Sequence, residues 1–554
     1  MIGLDDTIVS IALPTFAKGF HASVSGLQWI ADGYTMVLAT LLIFGGATAD
    51  RFGRRRIFRV GLALFTISSA LCSLAPSLGW LIAFRVLQAV GGSMLNPVAV
   101  SIISGVFTSP ASRARAISVW VGTFGVGMAL GPALGGVLIS AVGWRGIFWV
   151  NIPVGLCAIA LTSLFVPESH TATPRRPDPV GQVLAIVILG SLVYAIIEGA
   201  YGDWRTVTIR GLFITSAAAL VILVVYELRR EEPLIDPRYF RNRSFSAATT
   251  IAICAFANMG GFLFLTSIYL QDVRGFSPVQ AGLQMLPTAA AMALCPSLAA
   301  ALTAMTGSAR VPLTIGGLAL MLSTSLMTRL TGSSHDAHLL ITFGLFGVGM
   351  GMINSQISVA AVSAMPPGQA GLASGIASAS RQVGQALGVA IAGSLLTAKA
   401  HGQLRTAFLQ ASNPAWHLLF WCASVVVVAG LLSARVRPRH GAARSSVSRA
   451  PSAPLDEDVL LAPPGPGQPL VPQTLPMRVP QESEWVPRVM RSPLPPDHPA
   501  YRFSADRQVW PDRPALNRAP HVGRGQRHVR VHDAEWGEGV DDRVHDRGGR
   551  ADGG

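Results

Sequence analysis

Lysine is nearly absent: of 43 basic residues only Lys18 and Lys399 are lysines, and neither follows a glycine-rich loop. A Walker-type phosphate cradle needs such a lysine, so any pumping by this chain draws on something other than ATP bound to it. Cysteine is scarce too. Cys72, Cys157, Cys254, Cys295 and Cys422 all fall inside apolar runs, without CxxC or Cys/His spacing; neither a disulfide framework nor a zinc site follows, and they read as small buried hydrophobes. Charge is sparse, at 13% of 554 residues against 50% hydrophobic. That excludes an ordinary soluble protein and leaves room for a dozen or more membrane spans of about 20 residues. No metal cluster, activated nucleophile or phosphate motif stands out, so no cofactor, no metal and no enzymatic reaction is expected.

The net charge of +14 is unevenly placed. Residues 1–440 hold 28 Lys and Arg against 14 Asp and Glu, whereas residues 441–554 hold 15 of each. A basic balance can signal nucleic acid, but here the charges sit in short loops between apolar runs, where retention of Arg on the cytoplasmic side is the simpler cause. The runs lie at about 27–48, 58–77, 80–106, 116–139, 146–166, 180–200, 209–228, 245–270, 278–303, 311–330, 337–362, 376–398 and 415–434. Before them, the apolar part of residues 1–16 covers only about 20 Å at 1.5 Å per residue, short of a hydrocarbon core of about 30 Å. The expectation is a true start upstream, or a gene that has lost its beginning; a cleaved signal peptide would need a basic n-region that is missing. With this short first span the count is about fourteen. From about residue 441 the composition turns to Pro, Arg, Asp and Gly without apolar runs, and two readings stay open: a disordered extension, or translation in a wrong frame.

Between the second and third runs stands GGATADRFGRRRIF, residues 45–58. An Asp and four Arg in seven residues cannot lie in hydrocarbon, so this is a turn at the membrane surface. Gly46 and Gly53 permit close helix approach and a tight turn, and Asp50 is placed to cap the next helix or pair with an Arg. With Arg51, Arg54 and Arg55, this spacing resembles the loop between spans two and three of major facilitator superfamily transporters; the bland alternative is a set of positive-inside anchors. If the turn is cytoplasmic, inside segments carry 18 Lys and Arg and outside ones 8, an asymmetry that supports that orientation and an even number of spans.

Three further stretches extend the resemblance to the fourteen-span drug:proton antiporters of that superfamily, and it runs from residue 4 to about 435. LDDTIVSIALP, residues 4–14, is similar to their first-span motif, with Asp5 at the family acid and Asp6 at a variable position. LIAFRVLQAVGGSMLNP, residues 81–97, is similar to their Arg-x-x-Gln-Gly-x-Gly motif, with Ala89 where Gly is usual; there the Arg, here Arg85, is thought to assist proton transfer. Snorkelling of Arg85 to the interface is the competing reading. Gly127, Gly131, Pro132, Gly135 and Gly136 in the fifth span are a small, kinked packing face on any reading. Their order G-x-x-x-G-P-x-x-G-G resembles the antiporter signature, which implies export.

The resemblance implies an all-α polytopic fold: an N-terminal six-span bundle over residues 1–166, two accessory spans within 167–244, a C-terminal six-span bundle over 245–435, and the tail from 436. It implies alternating access between the bundles, the residue 45–58 turn locking one state. Partners would be protons, the bilayer and amphipathic small molecules, with no nucleic acid and a single chain as the working unit. The proton-coupling candidates are Asp5, Asp32 and Arg85, because a carboxyl in low dielectric can be neutralised by one proton per cycle. Asp32 ranks below Asp5, since it lies near the outer end of its span, where a solvated helix-end role competes. Arg381, early in span thirteen, reads as an interfacial anchor more readily than as a cavity residue. A dedicated metabolite exporter, a proton-driven importer or an inactive product remains the alternative.

Overall fold

The computed structural model describes residues 1–107, 109–169, 178–230, 233, 235–332, 334–363, 370–400 and 404–432. The sequence expectations for residues 436–554 therefore lie outside the described residues. Among the described residues the regular elements are all helical, including a short 3-10 turn at Pro237–Arg241. Fourteen helical segments follow one another: α1 Ile2–Phe20, α2 Val24–Phe52, α3 Arg54–Ser73, α4 Leu78–Val106, α5 Pro110–Val142, α6 Gly146–Phe165, α7 Pro179–Tyr201, α8 Val207–Arg229, α9 Arg243–Val273, α10 Pro278–Thr306, α11 Arg310–Met327, α12 Asp336–Ser363, α13 Ala370–Ala400 and α14 Leu404–Leu432. Twelve are long and apolar enough to cross a membrane; α1 and α13 are the other two. Both carry charges within the bundle, Asp5 and Asp6 in α1 and Arg381 in α13, and much of each is packed against other helices.

Helices outrun the apolar runs that announce them. α2 continues through Asp50 and Arg51 to Phe52, and α3 begins at Arg54, so the surface turn shrinks to Gly53 alone, held at φ 106°. That backbone region is open to glycine at little cost. α1 likewise runs past Phe16 to Phe20 and stops at His21, whose backbone is left-handed; its 19 residues measure about 28 Å at 1.5 Å each. The helix outlasts its apolar part, which stays at about 20 Å, because Lys18 and Gly19 break the apolar run but not the helix. α4 is broken at Met94–Leu95, just before Pro97, whose missing N–H loosens the ladder there.

Helices α1 to α6 pack on one another, as do α9 to α14. The two groups meet through α1 on α9, α2 on α13 and α5 on α10. Gln28 in the first turns of α2 donates to the carbonyls of Val389 (3.3 Å) and Ala390 (2.7 Å), and Gln271 near the end of α9 donates to Ile11 O at 2.8 Å. A Cβ on Gly282 would lie 2.5 Å from Pro132 O, and one on Gly136 would collide with Pro278. The hydrogen bonds of Gln28 and the tight approach of Gly136 and Gly282 lie toward the ends remote from the Gly53 turn, while the α2–α13 contact runs on to the near end, where Ile43 packs on Phe245, Ala373 and Ile376. The two groups are thus closed at the remote end.

α7 and α8 pack on each other, and α7 leans on α2 and α13. Trp29 Nε1 and Ser25 Oγ donate to Glu198 at 2.8 and 3.2 Å, Gln182 Nε2 donates to Thr40 O at 2.8 Å, and Ser394 Oγ donates to Ile196 O at 2.8 Å. Glu198 is therefore bound by side chains of α2. α8 shows Ile214, Val221 and Ile222 on its outer face, the side-chain chemistry that lipid accepts.

Candidate functional site

Asp5 is completely buried. Its Oδ2 accepts from Arg85 Nη1 at 2.5 Å, and its Oδ1 accepts from Gln88 Nε2 at 3.0 Å and Asn151 Nδ2 at 2.8 Å. The donors come from α4 and α6. Gln88 lies one turn beyond Arg85, so both side chains leave α4 on one face; Arg85 Nη1 also donates to Gln88 Oε1 at 2.7 Å. Ser69 of α3 accepts from Gln88 at 2.7 Å and from Asn151 at 3.3 Å. The Arg85 guanidinium stacks 4.1 Å from the centre of the Tyr34 ring on α2. One carboxylate thus gathers α1, α3, α4 and α6, and its cation adds α2.

A buried ion pair repays its desolvation only when its remaining polar groups are also bound. Asp5 meets that condition with three side-chain donors, whereas Arg85 Nε is buried without a hydrogen-bond partner. Arg85, 1% exposed, does not snorkel to the interface; it is held inside the bundle. Asp5 lies close to the first residue and is nonetheless wholly buried. Asn151, Ser69 and Tyr34 were missed in the sequence. For Asn151 a signal existed, a lone amide in the apolar run WVNIPVG.

Asp6 points elsewhere. It lines a pocket of about 20 Å³ together with Ser10, Tyr34, Arg85 and Gln385, about the room that one water needs. Its Oδ1 has no hydrogen-bond partner. Asp32 is fully buried as well, with Oδ2 unpartnered and Oδ1 no closer than 3.5 Å to Thr35 Oγ1. The solvated helix-end reading of Asp32 is therefore set aside. α2 begins at Val24, so Asp32 sits in its third turn rather than at its end.

The glycine face of α5 is used on two sides. Gly127, Gly131 and Gly135 abut α1 at Leu4, Thr7 and Ile8, where any side chain would collide or crowd, while Gly136 and Pro132 abut α10. Pro132 cannot donate to the carbonyl of Met128 four residues before it. Thr7 Oγ1 of α1 does so instead, at 2.9 Å.

At the surface turn, Asp50 Oδ1 accepts from Arg54 Nε at 3.0 Å and Nη2 at 2.9 Å, and Arg54 Nη1 donates to Ser101 O at 3.3 Å. Asp50 therefore pairs with an Arg one turn on. Arg55 donates to Ser163 O at 2.5 Å, and its backbone N–H donates to Glu168 at 3.0 Å. Gly46 faces Pro97 at 3.3 Å for a built Cβ. Arg51 lies 5.5 Å from the Phe52 ring centre. The motif so far described ties α2, α3, α4 and the end of α6 together.

Arg381 lines a second pocket, of about 30 Å³, whose walls include Trp120, Phe124, Phe256 and Asn354. Of the two readings of Arg381, this lining favours the cavity residue over the interfacial anchor. Of the cysteines, Cys72 and Cys295 are buried and Cys254 and Cys422 half-buried, whereas Cys157 is exposed on α6.

Residues 1–389 match the family model of the Major Facilitator Superfamily. The multidrug resistance protein Stp of Mycobacterium tuberculosis is 37% identical over 398 residues, covering 72% of this chain and 74% of that one. The tetracenomycin C resistance and export protein of Streptomyces glaucescens is 33% identical over 401 residues, again 72% and 74%, and the methylenomycin A resistance protein of Bacillus subtilis is 29% identical over 397, 72% and 85%. Among solved structures, a peptide transporter of the POT type overlays with a TM-score of 0.54 at 18% identity, over 79% of this chain and 92% of that one; this likeness speaks to the fold alone. With fourteen helical segments arranged in this way and a family model matched over most of the described chain, the protein belongs to the major facilitator superfamily.

Proposed function

We propose that this protein is a proton-coupled antiporter that exports amphipathic small molecules by alternating access. Relatives at 29–37% identity are named for multidrug resistance, for tetracenomycin C export and for methylenomycin A resistance, which supports efflux of small apolar-to-amphipathic compounds. The observation that carries the coupling is Asp5, a carboxylate buried in a membrane bundle and bound at once by Arg85, Gln88 and Asn151. An intramembrane acid so placed is a functional group by default.

Charged, Asp5 draws α1 against α4 and α6. A proton on it removes the charge that Arg85 answers, and Arg85 then keeps only Gln88 and the face of Tyr34. The arrangement that suits the charged acid therefore differs from the one that suits the neutral acid. If drug and proton favour opposite arrangements, antiport follows without a further device. Asp32 is the second candidate carrier, by burial without a partner. The moving bodies are α1–α6 and α9–α14, with α7 and α8 as accessory helices. Gly136 and Pro132 on α5 let the remote ends close on α10, and the Asp50–Arg54 turn fastens the near ends in the other state. The arginine asymmetry of the loops supports a cytoplasmic turn, and the reading takes a single chain as the working unit. A dedicated exporter is the second reading, favoured by relatives named for one antibiotic each.

The test is ethidium efflux from pump-deficient bacterial cells, with and without a protonophore, for the parent chain and Asp5→Asn, each quantified in the membrane fraction. Efflux by the parent that the protonophore stops, and its loss in Asp5→Asn, is the expected outcome. Uncoupler-sensitive efflux retained by the variant would remove Asp5 from the mechanism. Protonophore-resistant efflux by the parent would remove the proton.

A further inference from the structure

We propose that Arg381 is the recognition point for an anionic group, so that the compounds this protein carries include aromatic acids bearing a carboxylate or phenolate. The proposal rests on the export reading and names a substrate class for it. Arg381 lies eleven residues into α13, which begins at Ala370, about 16 Å along the helix at 1.5 Å per residue. Its guanidinium donates to Ser358 Oγ at 3.1 Å and Ser378 Oγ at 2.8 Å, and stands 5.9 Å from the Phe256 ring centre. Among the described residues no carboxylate lies within ion-pair distance of it. The contrast inside the same molecule is direct: Arg85 has Asp5, Arg54 has Asp50, Arg230 has Asp178 and Arg274 has Asp336.

Arg381 is half-buried, and with two hydroxyls and a ring as its protein partners it keeps N–H donors open to a ligand that enters the pocket. Guanidinium has five N–H donors in a fork that fits a carboxylate, and hydroxyls can be exchanged for stronger acceptors. The walls fit the rest of such a ligand. Trp120 and Phe124 of α5 face Phe256 of α9 across the pocket, and Asn96 and Asn354 offer amides at its edge. At about 30 Å³ the pocket holds little more than water as it stands. Its walls come from α4 and α5 on one side and α9, α12 and α13 on the other, so parting of the two groups at the end near Gly53 widens it around the cation. An anion leaving a cell whose interior is negative is also driven outward by the membrane potential, which no cationic drug enjoys.

The test uses the full chain, purified in nanodiscs, and two probes of one shape: 1-naphthoate and 1-naphthylmethylammonium, titrated calorimetrically. Naphthoate should bind at least tenfold more tightly than the amine. Arg381→Gln should erase that preference, and Arg381→Lys, which keeps the charge without the fork, should restore part of it; monodispersity of each variant by size exclusion controls for folding. Equal binding of the two probes, no saturable naphthoate binding, or an unchanged preference in Arg381→Gln overturns the proposal. Ethidium export by the parent chain is scored separately. If it fails while naphthoate binding remains Arg381-dependent, the broad multidrug reading falls and the anion site stands.

Discussion

Replacing Thr7 by valine tests how α1 is seated on α5. The Met128 carbonyl has lost its helical partner because Pro132 carries no N–H, and Thr7 Oγ1 donates to it across the helix pair at 2.9 Å. Carbonyls of its own helix, at Gly3 and Leu4, lie farther from that hydroxyl, at 3.2 and 3.3 Å. Valine keeps the shape and drops the donor. A buried acceptor left bare costs about 1–3 kcal/mol in soluble proteins, whereas bonds between membrane helices average about 0.6 and reach about 1.7 kcal/mol. Between these bounds we expect about 1 kcal/mol, roughly a fivefold change in the unfolding equilibrium constant. Pro132→Ala would restore an N–H to the Met128 carbonyl, and in that background Thr7→Val should cost close to nothing. The four chains form a double-mutant cycle, read by reversible unfolding in mixed micelles of increasing SDS content, with near-ultraviolet circular dichroism as the signal. If Thr7→Val costs the same with and without Pro132, the hydroxyl is not serving the proline's orphan carbonyl and the argument fails.

Asp5→Asn should destabilise the protein by about 3 kcal/mol, since Arg85 is left buried without its counter-charge, and the double variant Asp5→Asn, Arg85→Gln should recover much of that loss; thermal unfolding of the three chains in one detergent decides it. Gly136→Val should hold α5 off Pro278, so that a thiol placed by Ala281→Cys, at a position now fully buried, reacts faster with a water-soluble maleimide; an unchanged rate refutes the closed contact. Lys18→Ala should change neither stability nor efflux, because Lys18 is 74% exposed and 3.7 Å from Asp272, the kind of pair whose worth is near zero.

Much of this molecule could be read from hydropathy, because hydrocarbon imposes long apolar helices on any chain that crosses it. The run at 209–228 became Val207–Arg229 almost unchanged. Where reading slipped, it slipped at charges. Asp50, Arg51 and Arg54 end or begin helices instead of lying in a loop, since a helix continues into the headgroup region for as long as nothing stops it, and only Gly53 does. Lys18 failed to end α1 for the same reason. The break in α4 at Met94–Leu95 had its sign in Pro97.

The site was legible by residue type and illegible by direction. Asp5 and Asp6 are consecutive, and one step on an α-helix turns a side chain by about 100°. That angle sends Asp5 to Arg85 and Asn151 within α1–α6, and Asp6 to a pocket whose far wall is Gly260, Phe264 and Gln385 of the other group. Spacing places both acids on α1 but does not say which faces what until α4 and α13 are in position. Thr7 illustrates the same limit more sharply: nothing near it in sequence says that a proline 125 positions later will need its hydroxyl. Glycines were more telling, because a run of positions four apart without side chains requires a partner helix close by. The face from Gly127 to Gly136 found two, α1 along most of its length and α10 at its end. A seam shared in this way puts one face of α5 between the helix that carries the buried acid and the Pro278 contact of α10.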